Sequence, residues 1–375
     1  MDPTTVFCPN LACHARGQIG QGNIGIHSQK DQRFLCTECR KTFSATKGTV
    51  FYRLRTSAET VVLVVTLLAH GCPLHAIVAA FGFDERTVAD WWARSGCQGQ
   101  AVQEHLVEQP RDLGHVQADE LRVKKQGGIV WMAMAMMVKT RLWLGGEVSE
   151  HRDMTLIRRL IERVRRCAAP RPLLVCTDGL CSYIRAIRET FRDPVHTGKG
   201  GRPRLRPWRN VLIAHVVKRY ERRHVVETER RVVDGTPARV ETLRRRSHGA
   251  GVINTAYIER LNATFRERFA PLARRGRSLV RRTLTLEHGM YLIGTVYNFC
   301  TPHASLGHVG AKTTPAMAAG ITDHCWTVRE LLSLHVPPPR WVPPKQRGRP
   351  SHALKRLIER WCGDHGLLWS YPVMP

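Results

Sequence analysis

A chain of 375 residues with 58 lysines and arginines against 31 aspartates and glutamates, a formal net charge of +27, is too long for one small domain and too basic to ignore polyanions. Two to four units are expected, with a nucleic acid rather than a membrane surface as the partner. No apolar run approaches a membrane span; Val61 to Ala69 is too short to cross and starts too late for a signal peptide, so a cytoplasmic protein is expected.

The chain opens on two cysteine knuckles, Cys8-Pro-Asn-Leu-Ala-Cys13 and Cys36-Thr-Glu-Cys39-Arg-Lys-Thr-Phe43. Paired soft ligands at this spacing suit a closed tetrahedral Zn2+, and so short a segment lacks the apolar residues to fold unaided. A zinc ribbon is therefore expected over residues 1–50, with Cys8, Cys13, Cys36 and Cys39 as ligands and Arg40 and Lys41 toward DNA. His14 and His27 are alternative ligands, but only the cysteines form two compact pairs. The remaining cysteines are expected to be reduced and to serve packing.

Residues 51–110 read as helices. Thr56-Ser-Ala-Glu59 resembles a capping box ahead of Val61 to Ala69, and Gly71 breaks that helix. A second helix carries Leu74, Ile77, Val78 and Phe81, and Asp84 caps a third with Val88, Trp91 and Trp92. Helices joined by a Gly-containing turn suggest a helix-turn-helix with Arg86 and Arg94 against DNA. A bundle that only packs fits the same pattern.

From His115 the period changes to that of strands. His115 to Val123, Ile129 to Val138 and Arg141 to Val148 form an antiparallel meander, and Asp153 then caps an amphipathic helix bearing Leu156, Ile157, Leu160, Ile161 and Val164. An apolar strand, Leu173 to Asp178, a helix with Tyr183, Ile184 and Ile187, a strand Val211 to Val217 and a helix Ile253 to Phe269 follow. Three strands, helix, strand, helix, strand, helix is the ribonuclease H-like order, an α/β fold with a mixed sheet flanked by helices, here preceded by the zinc ribbon and the helix-turn-helix. By analogy with that fold, Asp119, Asp178 and Glu259 would meet at one site and hold two Mg2+ or Mn2+ ions. Glu120 competes with Asp119, since adjacent strand residues face opposite sides, and Asp119 is preferred. Arg260, Arg266 and Arg268 share the Glu259 helix and can approach a polyanion.

Four motifs together, Cys36-Thr-Glu-Cys39-Arg-Lys-Thr-Phe43, Thr177-Asp178-Gly179 with Tyr183, His215-Val-Val-Lys-Arg-Tyr220, and Ile258-Glu259-Arg260-Leu-Asn262 through Arg275-Gly-Arg-Ser278, resemble the transposases of the bacterial insertion sequence one family. The resemblance runs from the ribbon to about residue 310. It implies a DDE catalytic domain that cuts and rejoins DNA, with Asp119, Asp178 and Glu259 as the acidic triad and Arg260 and Asn262 as its basic and polar companions. It also implies a homo-oligomer, at least a dimer, because two element ends must be brought together.

The catalytic domain is expected over residues 111–320, with basic insertions at 194–210 and 221–250, the second a hairpin turning at Asp234-Gly235. They read either as a DNA channel or as solvated loops. They leave Glu267 and Glu221 as fallbacks for Glu259. Residues 321–375 read as a Pro-rich linker and a basic tail, in which Arg347 and Arg349 of Arg347-Gly-Arg-Pro350 suit a narrow A·T minor groove or simply phosphates. Against strand cleavage and transfer at the ends of a mobile element stand a zinc-ribbon DNA-binding regulator with an inactive nuclease-like domain and a structure-selective nuclease.

Overall fold

The computed structural model describes the chain apart from residues 196–202, 223, 248–250, 274–277, 308–311, 339, 342–350, 365–367 and 370–375. Contacts divide it into two units, Met1–Ala58 with Leu332–Pro375, and Glu59–Leu331.

In the first unit, β1 (Ile24–Ser28), β2 (Arg33–Cys36) and β3 (Thr42–Ser44) form a three-stranded antiparallel sheet. Its core is small: Val6, Ala15, Ile24, Phe34 and Phe43 with three of the cysteines. So few apolar side chains cannot offset the ordering entropy of this many residues. From the carboxy-terminal part, His335 Nε2 lies 3.0 Å from the Ala45 carbonyl oxygen. The segment expected as a linker and basic tail contains a helix, His352–Asp364, whose Cys362 is buried. Arg347 and Arg349 lie outside the described residues.

The second unit begins with α1 (Ala58–Ala69), α2 (Leu74–Phe81) and α3 (Glu85–Val102). Gly82, left-handed at φ 69°, ends α2, and the Asp84 carboxylate accepts the Arg86 N–H at the start of α3. The rest of the unit runs β4 (His115–Lys125), β5 (Gly128–Met137), β6 (Trp143–Ser149), α4 (Met154–Cys167), β7 (Leu173–Asp178), α5 (Cys181–Thr190), β8 (Arg192–Val195), β9 (Arg204–Pro207), β10 (Val211–Glu221), β11 (His224–Asp234), α6 (Pro237–Arg246), α7 (Ala256–Arg268) and α8 (Thr283–Thr295).

Six strands form one sheet in the order β11-β10-β7-β4-β5-β6. The β4-β5-β6 meander is antiparallel, β7 and β10 run parallel to β4, and β11 returns antiparallel at the edge. This mixed sheet, flanked by helices, fits the ribonuclease H-like layout. Along β5 both the methionines and the alanines from Val130 to Met137 are buried except Trp131, which is half-buried, as a strand covered on both faces requires. Helix α3 packs on α8 through glycine: a Cβ on Gly96 would lie 2.5 Å from the His288 Cα, and one on Gly99 would lie 2.9 Å from the Tyr291 carbonyl oxygen. The third helix of the expected DNA-reading module is thus docked along one face inside this unit.

Two expectations for the insertions change. The hairpin turns between Glu221 and His224, and Asp234-Gly235 instead closes β11 ahead of α6. Strand β10 also continues four residues past the expected end at Val217. In the first insertion β8 and β9 pair as a hairpin, and residues 196–202 between them lie outside the described residues. Among the described residues no helix is long and apolar enough to cross a membrane.

Candidate active site

Strand pairing brings the acids together. Asp119 lies in the middle of β4 and Asp178 ends β7, two strands paired in parallel from His115 to Gln117. Parallel neighbours bring side chains near their carboxyl ends together. Helix α7 supplies the third acid, Glu259, in its first turn. A cleft of about 920 Å³ opens between these elements, lined among others by Asp119, Arg152, Asp178, Lys218, Glu259, Asn262 and Arg266.

The three expected acids share the cleft but not one environment. Oxygens of Asp119, Glu120 and Asp178 lie within 4.8 Å of one another. Glu259 stands apart, its carboxylate accepting hydrogen bonds from Lys218 Nζ at 2.5 Å and Thr255 Oγ1 at 2.7 Å. Neither fallback, Glu221 nor Glu267, lines the cleft among the described residues.

Glu120 was expected to turn away. Its side chain is fully buried, yet Oε2 takes a two-pronged donation from Arg152 Nε at 3.0 Å and Nη2 at 2.7 Å. The same Nη2 reaches Asp178 Oδ2 at 3.2 Å, so one guanidinium ties the two carboxylates together. Arg152 is a site residue that the sequence did not advertise. It stands in the turn before α4, and only the carboxylates it reaches identify it.

Two amides hold this geometry. Asn262, expected as the polar companion of the triad and as a DNA contact, is 1 % exposed, and its Nδ2 donates to Asp119 Oδ2 at 2.7 Å. Its amide is thus turned to a carboxylate and away from solvent. Gln117, fully buried two residues before Asp119, accepts the backbone N–H groups of Tyr257 and Ile258 at 3.1 and 3.0 Å and donates to the Asn254 carbonyl at 2.7 Å. A strand side chain thus caps the helix that carries Glu259 and Asn262.

Crowding of like charge away from water leaves its mark. Burial, then the Glu120 and Asp178 carboxylates, push Asp119 up to about 7, and Glu259 adds to the effect. Burial also raises Glu120. A cluster that is costly to ionise is relieved by a dication, and an all-oxygen donor set suits Mg2+ or Mn2+. The donors therefore fit such an ion.

The cysteines form the other ligand cluster. Their sulfurs lie within 4.8 Å of one another, with Cys8 Sγ to Cys39 Sγ at 3.6 Å and Cys13 Sγ to Cys36 Sγ at 3.9 Å. Four sulfurs around zinc at about 2.3 Å stand roughly 3.8 Å apart. All four are free thiols. His14 faces Glu38 on the surface, and His27 is exposed on β1. The adjoining Arg40 and Lys41 are exposed, as is Arg260 on α7. On α3, Arg86 is exposed at the first turn, whereas Arg94 Nε is paired with Asp90 at 2.6 Å.

Residues 114–224 match the family model of a DDE domain. The matched segment spans β4 to β10, with Asp119 and Asp178, and ends before Glu259. No curated protein sequence matches the chain. The meander, the paired aspartates and this match agree: residues 114–224 are similar to the DDE domains of insertion sequence transposases.

Proposed function

We propose that the chain is a DNA transposase that cuts at the ends of a mobile insertion sequence and transfers the exposed 3′-hydroxyl to target DNA. The observation that carries this reading is the convergence of Asp119 and Asp178 on one cluster, with Glu259 lining the same cleft. Those three carboxylates would hold Mg2+ or Mn2+, which when bound supplies an activated oxygen nucleophile and stabilises the leaving oxygen.

The chain's own residues do the positioning. Asn262 fixes the Asp119 carboxylate, and Arg152 joins Glu120 to Asp178. Lys218 and Arg266 present positive charge to a phosphate in the cleft. Burial and the neighbouring carboxylates favour the protonated form of Asp119, and a bound cation would displace that proton.

In the same reading the four cysteines hold a structural Zn2+, and Arg40 and Lys41 beside them face DNA, as do Arg86, Arg260, Arg347 and Arg349. Helices α1 to α3 act as a helix-turn-helix through the exposed amino-terminal turn of α3. The active form is at least a dimer in the cytoplasm, because two ends must be joined.

The test is incubation of the purified chain and Mg2+ with a plasmid carrying the DNA that borders its coding sequence. Cutting at the borders followed by joining to a second duplex is expected. Binding without cutting would favour the DNA-binding regulator, and cutting without joining a nuclease.

A further inference from the structure

Where arginines converge in the unit Glu59–Leu331, a carboxylate commonly joins them. Glu108 stands between Arg163 and Arg166, Glu189 between Arg158 and Arg185, and Glu241 between Arg244 and Arg245. One cationic group departs from that pattern. Arg141 lies in the turn between β5 and β6, Arg260 near the start of α7 and His303 beyond α8, and among the described residues none of the three is paired with a carboxylate.

The three are close together. The Arg141 guanidinium carbon stands 3.9 Å from the centroid of the Tyr257 ring, and Tyr257 precedes Arg260 by three places on α7, which puts both side chains on one side of the helix. Tyr297 joins the other two: its hydroxyl donates to the Arg141 carbonyl at 3.1 Å, and its ring meets that of His303 edge to face, centroids 6.2 Å apart. Burial, then the charges of Arg141 and Arg260, hold the His303 imidazole below its ordinary range, so both guanidiniums are felt there. Their local partners are neutral. Arg141 Nη1 donates to the Val138 carbonyl, and His303 Nδ1 lies 3.0 Å from the Ser305 hydroxyl. The acid next to Arg260 in sequence, Glu259, is held by Lys218 and Thr255.

Like charges crowded without a counter-charge cost free energy that a bound anion offsets. Arg141, Tyr257 and His303 are half-buried and Arg260 is exposed, so an anion on a long chain can reach the group. Successive helical residues are turned by about 100°, so Arg260 leaves α7 on a different side from Glu259, and it is absent from the cleft lining. Two guanidinium forks and an imidazole suit an oxyanion with several acceptor oxygens. On a chain of net charge +27, beside a cleft proposed for phosphoryl transfer, the anion that fits is a phosphate of the DNA backbone.

We infer that Arg141, Arg260 and His303 grip one non-scissile phosphate of the strand that enters the cleft. The grip rests on the transposase reading and adds a fixed point that sets the position of the strand along α7.

The test is ethylation interference with the full chain and its Arg141→Gln, Arg260→Gln and His303→Asn variants. DNA from the border of the coding sequence, ethylated at random phosphates, is bound without divalent metal so that it stays uncut. Wild type is expected to reject one ethylated phosphate near the cut site that all three variants tolerate. Each arginine variant should also bind unmodified border DNA about tenfold or more weakly, with a salt slope smaller by about one contact. Arg141 bonds within its own turn, whereas Arg260 is exposed, so loss of the same phosphate in both variants separates contact from structure. Tolerance at different phosphates, or a wild-type pattern in Arg260→Gln, overturns the shared site and leaves the transposase reading intact. A wild-type chain that binds border DNA no better than unrelated DNA, and cuts neither once Mg2+ is added, overturns both.

Discussion

The amide oxygen of Gln117 accepts the backbone N–H of Ile258 at 3.0 Å, joining strand β4 to helix α7 across 141 positions of sequence. The same oxygen accepts the Tyr257 N–H. One buried side chain therefore fixes the height of α7 relative to β4, and with it the distance of Glu259 and Asn262 from Asp119.

Gln117→Leu keeps the bulk but leaves two helix N–H groups buried without an acceptor. Stability should fall by about 1–3 kcal/mol, measured by urea unfolding. Cleavage should fall further than this loss explains, with DNA affinity retained. An unchanged cleavage rate in the folded variant would remove Gln117 from the positioning scheme.

Asp178→Asn removes one carboxylate charge and preserves shape. Cutting should drop by more than about a hundredfold, close to 2.7 kcal/mol on the barrier, while affinity for border DNA stays within a few fold. Substantial residual cutting by a homogeneous variant would refute the assignment.

Burial, helped by the nearby Arg244 and Arg141 charges, drives His115 down to about 3 from its ordinary 6.5. The unfolded chain then binds more protons between those values, so stability is full above about pH 6.5 and is lost as pH falls toward 3. The imidazole Nδ1 lies 2.9 Å from Ser247 Oγ, so the neutral ring has a partner inside the fold. His115→Gln should flatten the acid limb of a pH–Tm curve, and an unaltered slope between pH 6 and pH 4 would exclude His115 as its cause.

Substituting Cys36 and Cys39 by serine should release zinc, measured by metal analysis, and destabilise Met1–Ala58 with Leu332–Pro375 before Glu59–Leu331. DNA affinity should weaken with it. Equal zinc content in wild type and variant would defeat the four-cysteine site.

Binding to DNA should weaken steeply with salt, as expected of a chain of net charge +27 that displaces counterions from phosphates. Titrations at two salt concentrations check this. Lys218→Ala should lessen the salt slope by about one contact if that lysine reaches a phosphate, and a slope identical to wild type would show that it does not.

Signals confined to a few neighbouring residues could be read directly from the chain. Alternation in β4 and continuous apolar runs in β5 and β7 marked those strands, Asp153 capped α4, and the knuckle spacing grouped four cysteines that the structure brings together. Asp119 and Asp178 were legible because each sits at a fixed place on a recognisable strand. Which groups touch them was not. Arg152 stands in a turn without periodicity, Asn262 looks like any polar residue on an amphipathic helix, and Gln117 looks like any residue of an alternating strand. Their roles arise from hydrogen bonds between distant segments, which a local pattern does not encode. The path of β10 beyond the sheet has the same origin: its residues keep strand character past Val216, and only the end of β7 at Asp178 determines where it pairs with β11 alone.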